Sequence, residues 1–172
     1  MVIETIDCKS YVPGGVVLNK AEQDAFWNAQ VSKLKRASLL RQQIPAHQGY
    51  RQKLHSWKGG AITLNAGCDD ANEWVHVDIT MTGEFRLSWF SRLAKREDEL
   101  KRKVEADLAA DANNAELEWI WDDRVNEGES WIILRRHRLD LTDRRSCQEG
   151  QDWVTQSLRA FLDHLGPLLE TM

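Results

Sequence analysis

Proline is scarce in this chain, three in 172 residues, and glycine numbers only ten. With so few breakers and an apolar fraction of 42%, the chain is neither a disordered linker nor a low-complexity tract. Its length suits one globular domain with a sizeable core. Cysteine is equally sparse: Cys8, Cys68 and Cys147 stand far apart with no CxxC spacing. That argues against a zinc ribbon or a disulfide frame and fits reduced thiols in a cytoplasm. No apolar run approaches the ~18 residues that a membrane span needs. The opening, Met1 to Asp7, lacks a basic region followed by a greasy one, so no secretory leader is expected. Basic charge is not in excess either. Lys and Arg total 23 against 27 Asp and Glu, a net charge of −4, so the whole chain lacks the field of a dedicated nucleic-acid binder.

Catalytic signatures are missing as well. There is no GxSxG elbow, no HExxH and no Walker or dinucleotide glycine pattern, and Gly14-Gly15 and Gly59-Gly60 are too short to cradle a phosphate. A restriction-endonuclease core needs an acid and then an acid-x-Lys on the next strand to hold Mg²⁺ and position water. Asp7-Cys8-Lys9 is the short match, but it falls too early for a preceding strand to supply the first acid. These absences favour a non-enzymatic protein, and no cofactor is expected.

What the chain does have is tryptophan, eight in all. Large aromatics serve cores and interfaces alike. Residues 1–19 read as an extended N-terminal arm, with the turn signal Pro13-Gly14-Gly15, and 20–172 as a single domain. After Asn19, a plausible N-cap, Phe26, Trp27, Val31, Leu34, Ala37, Leu40 and Ile44 share one side of a helix predicted from Lys20 to Ile44 and ended by Pro45. Residues 45–60 read as a polar connection. Ala61 to Ala66 is a short strand. Trp74 to Thr82 alternates cleanly, with Val75, Val77, Ile79 and Met81 opposite Trp74, His76, Asp78, Thr80 and Thr82. Gly83 breaks it, and one long helix is predicted from Glu84 to Ala110. Strands at Glu116–Asp122 and Ser130–Leu139 follow, then a helix from Glu149 to Leu165 stopped by Gly166-Pro167. In the strand 130–139 either Trp131 and Ile133 or Ile132 and Leu134 can face the core. The expected fold is α+β: a leading helix, then ββα-ββα, giving a four-stranded antiparallel sheet with helices mainly on one face.

Such a sheet leaves its second face without helices. Trp74, Ile120 and one apolar set from 131–134 belong there, so the N-terminal arm, a protein partner or a second copy of the chain, a homodimer, is expected to cover it, with Trp74, Trp131 and Ile133 as candidate interface residues. Basic residues mark a second candidate surface. Arg135, Arg138, Arg144 and Arg145 cluster late in the chain, and Arg51, Lys53 and Lys58 surround Trp57, a composition suited to phosphate contact with base stacking or to an acidic partner. The competing reading is a salt-bridged surface, since Asp140, Asp143, Glu149 and Asp152 lie close by. His76 and Asp78, two apart on one strand face, could join Glu118 or Asp122 in a nitrogen-and-oxygen metal site for a hydrolase. Two ligands from one strand do not specify such a site, and the favoured reading is a solvated strand face whose histidine pairs with a neighbouring acid.

Three stretches carry a resemblance: the opening helix with Phe26-Trp27; the strand Val75 to Met81 running into the helix with Leu93 and the charged segment Lys95 to Glu105; and Leu139-Asp140-Leu141-Thr142-Asp143-Arg144 followed by Gln151-Asp152-Trp153, Leu158, Phe161 and Leu162. Over residues 20–170 the chain resembles an uncharacterised domain family whose members often form the C-terminal part of larger proteins that begin with a restriction-endonuclease-like or other DNA-processing module. Its shared residues are structural, so the resemblance implies no catalytic group. It implies an association with bacterial or phage nucleic-acid handling or defence, which is an argument from company. The expectation is therefore a cytoplasmic binding or interaction module, with a metal-assisted, nuclease-like hydrolase as the alternative.

Overall fold

The computed structural model describes residues 20–39, 51–68, 74–108, 116–124, 128–141 and 143–172. The arm 1–19, Cys8, the helix extension through Ile44 and the Pro45 stop, Tyr50 and the Arg51 side chain lie outside the described residues. In chain order the elements are α1 (Lys20–Arg36), β1 (Arg51–Trp57), β2 (Ile62–Cys68), β3 (Val75–Thr82), α2 (Arg86–Ala94), α3 (Glu97–Leu108), β4 (Leu117–Asp122), β5 (Glu129–Arg136), α4 (Arg144–His164) and α5 (Gly166–Thr171). The fold is α+β, and the five strands form one antiparallel sheet in the order β1-β2-β3-β5-β4. Among the described residues no helix is long and apolar enough to cross a membrane.

The fifth strand corrects the four-strand expectation. β1 occupies what reads as a polar connection, because its alternation is interrupted. The register against β2 shifts between Lys53 and His55, leaving Leu54 as an extra residue. Such a bulge breaks the period of two by which a strand is recognised, so the buried Leu54 and Trp57 stand three apart. A turn at Lys58–Gly60 returns the chain, with positive φ at Lys58 (51°), Gly59 (66°) and Gly60 (96°).

Helix ends differ from expectation for equally local reasons. α1 stops at Arg36 because Ser38 takes φ 57°. Leu39 N–H bonds the Leu34 carbonyl at 3.1 Å and Ser38 N–H the Lys35 carbonyl at 3.1 Å, the Schellman termination that glycine usually signals. The single helix expected over 84–110 is two, α2 and α3, parted at Lys95-Arg96. There Arg96 N–H turns to the Leu93 carbonyl at 2.9 Å, and the Arg96 guanidinium grips both oxygens of Glu99, each at 2.9 Å. α4 begins five residues before Glu149, at Arg144, where the Asp143 carboxylate caps the Ser146 N–H at 2.8 Å. Gly166-Pro167 ends α4 but also opens α5, with proline in its first turn.

The register settles which side chains meet. Ile62, Leu64, Ala66 and Cys68 of β2, Val75, Val77, Ile79 and Met81 of β3, and Ile132 and Leu134 of β5 line one face and are almost fully buried. Leu117, Trp119 and Trp121 of β4 join them. The helices cover this face: Trp119 stacks on Phe161 of α4 at 5.8 Å, and Trp121 meets Phe90 of α2 at 6.1 Å. Gly150 lets α4 sit close, since a Cβ there would lie 3.3 Å from Leu141 Cδ2 and 3.4 Å from Leu139 Cδ1. α1 packs on α4 through Phe26, Trp27 and Leu34, and Gln151 Nε2 donates to the Phe26 carbonyl at 3.1 Å.

Candidate functional site

The second face of the sheet carries the opposite parity: Thr63 and Asn65 of β2, His76, Asp78 and Thr80 of β3, Trp131, Ile133 and Arg135 of β5, Glu118 and Ile120 of β4. The ambiguity in β5 is thereby resolved, with Ile132 and Leu134 toward the helices. Trp74, Trp131 and Ile133 do share this second face, which carries no helix among the described residues, but they do not form a broad exposed apolar patch. Ile133 is 6% exposed, and both tryptophans are half-buried. Each ring lies under an arginine. The Arg135 guanidinium carbon is 4.6 Å from the Trp74 ring centre, and that of Arg124 is 3.9 Å from Trp131. A cation over an indole face is attracted by the ring quadrupole while its methylenes cover apolar surface. Among the described residues the exposed large hydrophobics are Phe85 and Leu87, at the start of α2.

Arg124 is held for this contact by its neighbour. Its backbone has φ 31°, an unfavourable region for a residue with a Cβ. Asp122 secures it there, accepting from the Arg124 backbone N–H at 2.9 Å and from its Nε at 2.7 Å. Trp131 Nε1 in turn donates to Glu129 at 2.7 Å.

Between the two arginine–tryptophan stacks sits a buried polar cluster. Asp78 is only 2% exposed. Its Oδ1 accepts from Asn65 Nδ2 at 2.9 Å and from Thr80 Oγ1 at 3.0 Å, and its Oδ2 lies 3.4 Å from His76 Nε2. Asn65 also donates to Thr63 Oγ1 at 3.2 Å. A carboxylate removed from water needs such partners. The sequence places His76 and Asp78 on one face, but Asn65 enters only through the β2–β3 register, which pairs it with Asp78.

Glu118 does not complete a ligand set with His76 and Asp78. Arg135 stands between Glu118 and His76 in the ladder, so the two are separated by two strand spacings, roughly 10 Å. Glu118 instead accepts from His137 Nε2 at 2.9 Å and lies 3.4 Å from Arg135 Nη1. Among the described residues no group of three His, Cys, Asp or Glu side chains is placed to hold a metal ion.

The basic residues are dispersed, and several of the arginines are locally neutralised. Arg138 meets Glu116 at 3.0 Å, Arg145 meets Glu149 at 3.1 Å, and Arg136 reaches the same glutamate at 3.8 Å. Arg144 is exposed in the first turn of α4. Lys53 is exposed on β1, while Lys58 Nζ donates to the Glu170 carbonyl at 3.1 Å, tying the β1–β2 turn to α5. Trp57 is a correction: it is 8% exposed in the core, edge-on to His55 at 4.5 Å, and is not available to stack on a base. Its burial follows from the bulge, which turns Trp57 toward the helices opposite Ile62. Cys147 is half-buried, and burial pushes its thiol up from the ordinary range, which leaves it a poor nucleophile at neutral pH.

No family model, no curated protein and no solved structure matches this chain.

Proposed function

We propose that the chain is a non-enzymatic binding module and that its working surface is the helix-free face of the sheet, which contacts a protein partner or a second copy of the chain. The observation that carries this reading is the pair of arginine–tryptophan stacks, Arg135 on Trp74 and Arg124 on Trp131. Trp131 lies opposite Thr80, and Trp74 stands just before Val75. At ~3.3 Å per residue the stacks are roughly 20 Å apart along the strands, a span that suits a macromolecular contact. Tryptophan and arginine are the residue types that dominate protein interface energetics, and a rim of paired charges is the usual surround. The setting in bacterial or phage nucleic-acid handling or defence rests on the family resemblance alone.

Two other readings receive less support. A phosphate-binding surface calls for unneutralised cations, whereas Arg135, Arg138 and Arg145 each face a glutamate. A metal-assisted hydrolase calls for converging ligands, whereas Glu118 is engaged with His137 and Arg135 away from Asp78. Light scattering over a concentration series tests self-association through the face. The parent chain should gain mass as concentration rises, and Trp74→Ala and Trp131→Ala should each reduce that gain with the fold intact by circular dichroism. Equal masses for parent and both variants at every concentration would remove the second copy as occupant of this face.

A further inference from the structure

Among the described residues β4 is the outer strand of the sheet, paired on one side only. Its other rim can be read in detail. His137 N–H bonds the Glu116 carbonyl at 2.9 Å, and the ladder then runs Leu117 opposite Arg136, Glu118 opposite Arg135 and so on. In an antiparallel pair, opposed residues alternate between those that exchange backbone hydrogen bonds and those that do not. Glu116 and His137 are a bonded pair, so Glu118, Ile120 and Asp122 bond inward to β5. The N–H and C=O groups of Leu117, Trp119 and Trp121 therefore point outward from the sheet, and among the described residues no strand pairs with them.

The two rims of the sheet are unlike. β1 is blunted by the bulge at Leu54 and by the exposed Lys53, devices that discourage strand addition. β4 has neither. It runs Leu-Glu-Trp-Ile-Trp-Asp, in unbroken register, with no proline, no lysine and no bulge. Trp119, Ile120 and Trp121 are half-buried at this rim, so apolar side chains laid beside them would extend the existing core.

We propose that the β4 rim takes up an extended segment of a partner protein as a further strand, and that the segment carries cations at two positions four residues apart with apolar residues between. The charge pattern selects this occupant. On the helix-free face β4 offers Glu118 and Asp122, whose side chains are 46% and 37% exposed. Within the chain Glu118 is engaged by His137 and Arg135 and Asp122 by Arg124, yet each carboxylate keeps part of its surface open to solvent. Opposite charges across neighbouring strands stabilise pairing, and like charges oppose it. A second copy is thereby disfavoured. About a twofold axis normal to the sheet, paired residues must share a face. The two registers that overlap most of the strand set Glu118 against Asp122, or Glu116 against Asp122. Pairing β4 with β1 of another copy meets the bulge and leads to an open-ended filament.

This rim adjoins the two stacks, since Glu118 and Asp122 pair with Arg135 and Arg124, so the N-methylated peptides and Trp74→Ala, used with the parent carboxylates in place, keep the two readings apart. The probe is a capped heptapeptide with lysine at its second and sixth positions, valine at the third and fifth and threonine elsewhere, titrated into the full chain while backbone amide resonances are followed. Leu117, Trp119 and Trp121 amides should shift together. N-methylation of both valines, which removes the two N–H donors opposite Trp119 and Trp121, should weaken binding by about tenfold or more. N-methylation of the second, fourth and sixth residues, which face away, should leave it within a few-fold. Glu118→Lys with Asp122→Lys should weaken the lysine peptide by about fivefold or more and favour a glutamate peptide, while Trp74→Ala should leave peptide binding unchanged. Equal affinity for the two N-methylated peptides overturns strand addition using the parent protein alone, even where the double variant fails to fold. No amide shift with any peptide, equal binding of the glutamate peptide, or protection of these amides by self-association would each overturn the assignment as well.

Discussion

Removing the Asp78 carboxylate should cost the fold about 2–4 kcal/mol, and the reasoning is open to measurement. Asp78 is 2% exposed and accepts hydrogen bonds from Asn65 and Thr80, each 5% exposed, at 2.9 and 3.0 Å. A hydrogen bond to a charged group contributes about 1.5–3 kcal/mol net, and an orphaned buried donor costs about 1–3 kcal/mol. Asn65 retains Thr63 Oγ1 at 3.2 Å as an acceptor, so the two losses do not add in full. Asp78→Ala is therefore expected near 2–4 kcal/mol, a fall in Tm of about 6–12 °C for a domain of this size. Asp78→Asn keeps the shape and one acceptor oxygen and should cost about half as much. Urea unfolding followed by tryptophan fluorescence gives both values, with an unchanged m-value as the sign that the denatured state is not altered. Two results would refute the argument. Asp78→Ala within about 0.5 kcal/mol of the parent would mean that the cluster is not holding the face together. A stabilising Asp78→Asn would mean that burying the charge costs more than its hydrogen bonds return.

Three further expectations follow from individual contacts. Ser38→Gly should stabilise by about 0.5–1 kcal/mol, because Ser38 occupies φ 57° at the end of α1 and glycine pays no Cβ penalty there; thermal melts would show it, and an unchanged or lower Tm would contradict it. Gly150→Val should destabilise by about 2–3 kcal/mol, since even a Cβ meets Leu141 and Leu139 at 3.3–3.4 Å, and a neutral effect in urea would show that α4 can lift off the sheet freely. Hydrogen bonds from Arg96 and then Lys103 hold the Glu99 carboxyl at about 2, below its ordinary 4.5. Stability from Glu99 is thus present above pH 4.5 and lost as pH falls toward 2. Glu99→Gln should flatten the acid dependence of unfolding in that window, and identical parent and variant profiles would remove Glu99 from the acid response.

Much of this architecture is legible in the residues because it is local. β3 alternates without interruption, and Val75, Val77, Ile79 and Met81 are buried as that alternation requires. The apolar side of α4 is equally plain in Trp153, Val154, Leu158 and Phe161. What escapes is whatever depends on a single unusual backbone angle or on pairing at long range. A serine in place of glycine at position 38 hides the end of α1, and one extra residue at Leu54 hides β1. Continuous apolar periodicity through Leu93 and Leu100 hides the break between α2 and α3. The helix-free face is partly legible, since Trp74, His76 and Asp78 must point the same way. Its chemistry is not, because Asn65 meets Asp78 across β2–β3, and the acids that neutralise Arg135 and Arg138 come from β4 and its approach. Trp57 is placed among basic residues by the sequence and in the core by the fold.

The central claim is that the helix-free face binds protein and not phosphate. Light scattering on the purified chain, alone and with short single- and double-stranded DNA at low and high salt, tests it most directly. The account predicts self-association that survives high salt and is indifferent to DNA, since the arginine–tryptophan stacks are already formed and their charges paired. A monomer that forms a salt-sensitive complex with DNA would contradict it and return the arginines at 135, 138, 144 and 145 to phosphate contact.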